Sequence, residues 1–220
     1  MRRNRTENRK QRTVYKRFQR VFGLLAIFLF LAMGCAKREI KNTDAKGKNI
    51  ICFGDSITFG YGAGPGEDYP SALAKIIGLP VINVGIDGDT SSEALKRLDS
   101  DVISRNPLLV LVEFGGNDFL RKVPLATTVD NIRAIVEKIQ EKGAMVAVVD
   151  VSAGLFLGDY RKAYRKLAEE TGAIFIPSIL QGIITNPSMK SDFLHPNAQG
   201  YRMIAQKIDL AIKPYLKQRR

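Results

Sequence analysis

Apolar residues fall into two kinds of run along this chain. From residue 49 onward, short blocks that are apolar almost throughout alternate with longer stretches whose apolar positions recur every three or four residues. The blocks at 49–53 (NIICF), 81–84, 108–114 (LLVLVEF), 144–151 and 173–176 predict five strands. The periodic stretches at 69–77, 91–104, 129–142, 160–171 and 197–217 predict five helices. Breakers punctuate them: Gly78 and Pro80 close the first helix, Pro107 stops the second, and Gly143 and Gly172 end the next two. Continuously apolar strands alternating with helices imply a parallel sheet covered on both faces. The expected fold is therefore α/β, a three-layer α/β/α sandwich around a five-stranded parallel sheet, flavodoxin-like in plan. In such sheets ligands bind beyond the carboxyl ends of the strands.

A different pattern precedes residue 49. Residues 21–33 (VFGLLAIFLFLAM) are one apolar run that directly follows a basic stretch. The run is shorter than the ~20 residues that comfortably cross a bilayer, and with its basic flank it describes an export signal. Leu31-Ala32-Met33-Gly34-Cys35 resembles a bacterial lipobox, with Ala32 where Leu is usual, and makes Cys35 the lipidation candidate. A cleaved secretory signal and an uncleaved anchor are the alternatives. All three place the folded domain outside the cytoplasm, and the lipoprotein on a periplasmic or cell-surface membrane. Residues 36–48 are polar, carry five Lys and Arg, and read as a flexible tether. The expected organisation is a signal or anchor at 1–35, a tether at 36–48 and one folded domain at 49–220.

Composition narrows the classes. The chain has 220 residues, 45% of them apolar and 25% charged, which suits one globular domain and excludes wholesale disorder. Two cysteines and one histidine exclude a disulfide scaffold and a His-rich metal site. Cys52, inside an apolar run, is expected to pack as a small hydrophobe. The net charge of +12 points toward nucleic acid until it is located. Residues 1–35 hold nine basic residues and one acid (+8); the other 185 hold 25 and 21 (+4). The excess is a tail and not a patch on the body, which excludes a nucleic-acid domain.

Four polar clusters follow the expected strands or precede the last helix. They are Gly54-Asp55-Ser56, Gly85-Ile86-Asp87-Gly88-Asp89-Thr90, Gly115-Gly116-Asn117-Asp118 and Asp192-Phe193-Leu194-His195-Pro196. Singly they are ordinary turn sequences; Ser56 alone is as well explained as a helix N-cap. Together they make coherent chemistry. A serine hydroxyl needs a base to take its proton, and His195 is the only imidazole. Asp192, three residues earlier, can turn back onto the other ring nitrogen. An oxyanion needs donors placed in advance, each contributing on the order of 3 kcal/mol. The candidates are the N–H of Ser56, the N–H of Gly88 and the side-chain amide of Asn117. Asp55 and Asp118 are expected to bond local backbone, and Asp89 and Thr90 to cap the following helix. Phe119-Leu120 and residues 151–157 are candidates to line an acyl pocket.

Ser56, Gly88, Asn117 and His195 match in order the four blocks of the SGNH (GDSL-type) hydrolase superfamily. The runs GDSITFGYG, NVGIDGDTSSEAL, VLVEFGGNDFLR and DFLHPNAQGY resemble its bacterial thioesterase I/lysophospholipase/arylesterase branch. The resemblance implies a three-layer α/β/α esterase with no metal or organic cofactor. It makes Ser56 the nucleophile, His195 the base, Asp192 its orienting acid, and Ser56, Gly88 and Asn117 the oxyanion hole. The implied partner is a small acyl ester or lysolipid, with membrane attachment through the N-terminal segment. No Gly-x-Ser-x-Gly elbow surrounds Ser56, so an α/β-hydrolase is not indicated. Two other readings remain open from the sequence: a carbohydrate O-acetyl esterase, and a catalytically silent binding protein of the same fold.

Overall fold

The computed structural model describes residues 39–152 and 157–216. The signal-like segment, Cys35 and residues 153–156 lie outside the described residues. Five strands form one sheet: β1 (Asn49–Gly54), β2 (Val81–Asn83), β3 (Pro107–Glu113), β4 (Met145–Val149) and β5 (Ile174–Ile176). All pair in parallel, in the order β2-β1-β3-β4-β5. Cys52 stands opposite both Asn83 and Leu111, and Leu109 opposite Met145. The helices are α1 (Ser56–Phe59), α2 (Tyr69–Ile77), α3 (Ser91–Asp101), α4 (Gly116–Leu120), α5 (Leu125–Glu141), α6 (Gly158–Thr171) and α7 (Ala198–Leu216).

The two-residue alternation of β1 divides the core. Ile50 and Cys52 pack with Leu73 of α2 and Ile204 of α7 on one face of the sheet. Ile51 and Phe53 pack with Leu98 of α3, Ile135 of α5 and Leu167 of α6 on the other. Every position of the central β3 is buried, so its run is apolar on both faces until Glu113. Cys52 is free and buried.

Local chemistry sets the boundaries. Asp68 caps α2 by accepting from Ser71 N–H at 2.8 Å. Thr90 and Glu93 form a reciprocal capping box on α3. Asp89, expected as a second cap, instead pairs with Arg97 at 2.7 Å. Helix α5 starts at Leu125, earlier than residue 129, because Pro124 at the N-cap ends the preceding loop. Helices α1 and α4 have four and five residues and are too short to show a period.

Residues 39–48 depart from the expected free tether. Lys41 N–H donates to Gly172 O at 2.9 Å, and Asn42 Nδ2 donates to Gln140 O and Ala144 O, each at 2.9 Å. Lys48 N–H reaches Asn106 O at 3.1 Å, and Ala45 is buried. Gln140, Ala144, Gly172 and Asn106 all lie at the end of the sheet where β3, β4 and β5 begin. The polar stretch is pinned there because ends of α5 and α6 leave carbonyls that need donors.

Candidate active site

Parallel strands put all their carboxyl ends on one edge, and the four polar clusters converge there. Strand order reverses between β1 and β3, the switch point at which a crevice opens. Ser56 follows β1 as the first residue of α1. The cap of that helix is Asp55, not Ser56: Asp55 Oδ1 accepts from Ile57 N–H at 3.1 Å. The Ser56 hydroxyl is thus left to face the last segment before α7. His195 Nε2 lies 3.1 Å from Ser56 Oγ across 139 residues of sequence.

The segment carrying His195 is a tight turn closed by Asp192. One oxygen of Asp192 accepts from the N–H groups of Leu194 and His195 at 2.7 and 2.8 Å. The other lies 2.8 Å from His195 Nδ1. Burial opposes the charge of Asp192, but these bonds from His195 and Leu194 outweigh it and hold the carboxyl at about 2. The carboxylate therefore stays ionised, which keeps the Nδ1–H tautomer and leaves Nε2 to accept from the serine. Two further groups fix the turn. Ser191 N–H donates to His195 O at 3.0 Å, and Asn197 holds the start of α7 by accepting from Gln199 and Gly200 N–H at 3.0 and 3.2 Å.

Asn117 sits on α4 after Gly115. Gly115 has φ +115°, and a Cβ there would meet Tyr164 Oη at 2.3 Å, so only glycine fits this turn. Asn117 Nδ2 donates to Asp55 Oδ2 and to Asp89 O, both at 3.1 Å. The side chain thus bridges the residue before Ser56 and the residue after Gly88. Gly88 has φ +76°, and its carbonyl accepts from Arg121 Nη2 at 2.8 Å. Asp118 does not bond local backbone as expected. It accepts from Ser91 N–H at 2.9 Å, from Ser91 Oγ at 2.5 Å and from Thr128 Oγ1 at 3.2 Å, tying α4 to α3 and α5.

Three contributors escaped the sequence reading. The Tyr61 ring lies against His195 with centroids 4.5 Å apart, its backbone held by Tyr201 Oη at 2.8 Å. Arg121 ties down the loop of Gly88 through its carbonyl. Glu113, fully buried at the end of β3, accepts from Thr58 Oγ1 at 2.7 Å. An acid ending an otherwise apolar buried run was a visible signal for Glu113; Tyr61 and Arg121 had none. A cavity of about 690 Å³ is lined by Phe119, Lys122, Val123, Leu125, Leu157, Asp159 and Tyr160, and Phe119 belongs to α4, the helix that carries Asn117. Phe119 and Leu157 belong to the expected pocket stretches, whereas Leu120 is exposed. Among the described residues, no group of three or more His, Cys, Asp or Glu is placed to hold a metal ion.

Residues 52–203 match the model of the GDSL-like lipase/acylhydrolase family. The chain is 29% identical to an arylesterase of Vibrio mimicus over 194 residues, covering 83% of this chain and 94% of that protein. It is 28% identical over 208 residues to thioesterase 1/protease 1/lysophospholipase L1 of Escherichia coli K12, covering 90% and 96%. Among solved structures, the psychrotrophic esterase EstA of a Pseudoalteromonas species, inhibited by monoethylphosphonate, superposes with a TM-score of 0.69 at 29% identity, covering 77% of this chain and 99% of that one.

Proposed function

The chain belongs to the GDSL-like lipase/acylhydrolase family, and we propose that it is an exported serine esterase that cleaves acyl esters or thioesters through an acyl-Ser56 intermediate. The observation that carries this reading is the line Asp192–His195–Ser56, with contacts of 2.8 and 3.1 Å. Ser56 Oγ attacks the carbonyl carbon while its proton passes to His195 Nε2. The carbonyl oxygen becomes an oxyanion, and the imidazolium is stabilised by ionised Asp192. Donors for the oxyanion are Ser56 N–H, Gly88 N–H and Asn117 Nδ2. The first N–H groups of a helix have no intrahelical acceptor, so Ser56 N–H at the start of α1 suits this role. Asn117 has two amide hydrogens, engaged by Asp55 Oδ2 and Asp89 O. The hydrogen on Asp89 O is the one that turns to the oxyanion, since Asp55 holds the other from behind. Collapse expels the alcohol or thiol, which takes the proton from His195. Water, deprotonated by the same nitrogen, then attacks the acyl carbon and releases the acid and Ser56 Oγ–H.

The substrate reading is a medium or long acyl chain carried on a small alcohol, thiol or lysolipid headgroup. The relatives named arylesterase and thioesterase/lysophospholipase support it. So does the cavity lined by Phe119, Leu125, Leu157 and Tyr160, whose volume lies in the range of small-molecule sites. Export rests on the basic and apolar residues of segment 1–35, with Cys35 as the lipid attachment point. The polar stretch is then not free throughout, since Lys41, Asn42 and Lys48 bond the folded body. Hydrolysis of a chromogenic ester series from acetyl to palmitoyl tests the reading, with Ser56→Ala as control. Ser56-dependent turnover that rises with chain length supports it. Preference for acetyl would move the substrate to carbohydrate esters, and absence of any Ser56-dependent hydrolysis would overturn it. Labelling by a palmitate analogue, lost in Cys35→Ser, tests the attachment.

A further inference from the structure

Two carboxyl groups lie buried behind the nucleophile, and the steps above give neither a part in bond making or breaking. Asp55 follows β1 and Glu113 ends β3, the strand beside it, where Gly54 and Glu113 are register partners. Asp55 Oδ1 accepts from Ile57 N–H and Oδ2 from Asn117 Nδ2, both at 3.1 Å. Glu113 Oε2 accepts from Thr58 Oγ1, whose oxygen lies 2.9 Å from Tyr69 Oη. Glu113 Oε1 is buried with no hydrogen-bond partner among the described residues that is fixed by geometry alone. Gly54, next to Asp55, is the register partner of Glu113, so the two buried carboxyls sit at the ends of adjacent strands. A proton on one of them is what such a pair needs, because two buried like charges side by side cannot both persist.

The surroundings decide which one keeps it. Cys52 of β1, Tyr69 of α2 and Tyr201 of α7 pack on the same side of the sheet as Leu109 and Leu111, four and two residues before Glu113, and burial pushes all three up, so they remain neutral. Arg97 of α3 reaches Gly54 O at 3.3 Å, but its charge is engaged by Asp89 and Asp101. His195 is the other group able to carry positive charge near Asp55. Burial first, and the charge of Asp55 second, push Glu113 well above the usual carboxylate range. Burial also raises Asp55, to about 7, against hydrogen bonds from Ile57, Glu113 and Asn117 that favour its charge. The proton sits on Glu113, and Asp55 is the ionised member.

We infer that Asp55 is a positioning residue for the oxyanion site: its carboxylate, sharing the Glu113 proton, clamps the amide plane of Asn117 and the first turn of α1, so that Ser56 N–H and Asn117 Nδ2 face the developing oxyanion. This rests on the serine-esterase reading. Asp55→Asn cannot reproduce the clamp. One arm of the new amide must accept from Ile57 N–H, and the other then presents N–H groups to the N–H groups of Asn117. Glu113→Gln keeps a donor toward Asp55 but cannot ionise.

The test is ester hydrolysis by the full chain in detergent across about pH 5 to 10, with thermal melting over the same range. Asp55→Asn is expected to lower kcat by about 10–100-fold, with KM within about threefold, as for loss of an oriented oxyanion donor. Glu113→Gln is expected to lack the alkaline fall that the native chain shows when Glu113 loses its proton. Melting reads the pair without turnover. Between the unfolded and the raised folded values the native state holds a proton that the unfolded chain has released, so stability falls as pH rises. Glu113→Gln should flatten that fall. A purely structural Asp55 would lower the melting temperature and leave kcat of the folded variant intact, which would overturn the inference. So would a Glu113→Gln profile identical to the native one. If Asp55→Asn does not fold, the Glu113→Gln profile decides. A native chain without esterase activity overturns the functional reading, while the melting slope still reports on the shared proton.

Discussion

The two edges of the sheet are built from the same five strands and solve opposite problems. At the amino edge, residues 39–48 lie across the strand starts, and Asn42 gives its two amide hydrogens to Gln140 O and Ala144 O. Polar groups there meet backbone carbonyls, and Ala45 and Ile40 join the core. At the carboxyl edge, charge is buried and apolar surface is exposed. Asp55, Glu113 and Asp118 are buried, while Phe59, Ile86, Phe119 and Phe193 stand open to solvent. That inversion is costly for folding. It is tolerated where chemistry requires preset dipoles and an apolar rim beside them. The comparison teaches that this chain stores stability at one end of its strands and reactivity at the other.

Variants can break or sharpen the contrast. The largest effect is expected from Ser56→Ala or His195→Ala, which should lower kcat by about 10⁴-fold or more while melting stays near native. Steady-state kinetics beside a calorimetric scan reads both, and a retained kcat would remove the proposed mechanism. Asn117→Ala should cost about 10²–10³ in kcat with little change in KM, as for loss of one oxyanion donor. Next comes pH. Activity should fall toward acid, and Asp192, held at about 2, should remain charged throughout that fall. Asp192→Asn would then depress kcat at every pH and, by removing the charge that stabilises the imidazolium, move the acid limb to lower pH. A limb that stayed in place would remove Asp192 from that role.

At the other edge the expectation reverses. Asn42→Ala leaves two carbonyls without their donor and should cost about 1–3 kcal/mol of stability, read as a melting temperature lower by roughly 2–12 °C. Its kcat should stay native below the transition; a fall in kcat would show that the edges are coupled through the strands. The smallest effect belongs to the exposed pair Arg133–Glu170 on α5 and α6. Its loss in Arg133→Ala should shift stability by about 0–1 kcal/mol and activity not at all.

Much of this was legible before any coordinates. All five strands fall where apolar blocks end at breakers, and the helices with a full turn or more of periodic positions were found. Elements without a period were not. The short α1 and α4, which carry Ser56 and Asn117, have no face long enough to announce themselves. The stretch 39–48 misled through its composition: a polar run looks like a tether unless one knows that Asn42 meets carbonyls 98 and 102 residues away. Asp118 misled likewise, since its partners lie on other helices and not in its own turn.

The sequence by itself determined the layered α/β plan, because strand and helix periods are local and short apolar strands joined by helices can pair only in parallel. It also determined that Ser56, Gly88, Asn117 and His195 belong to one edge, because parallel strands share the direction in which their loops emerge. Only the tertiary structure decided which atoms meet. His195 Nε2 reaches Ser56 Oγ, and Asp55 reaches Asn117, across 139 and 62 residues. Such contacts depend on the packing of every strand and helix between them. The same packing removes water from Asp55 and Glu113, and burial, a property of the whole fold, raises both carboxyls above the usual range.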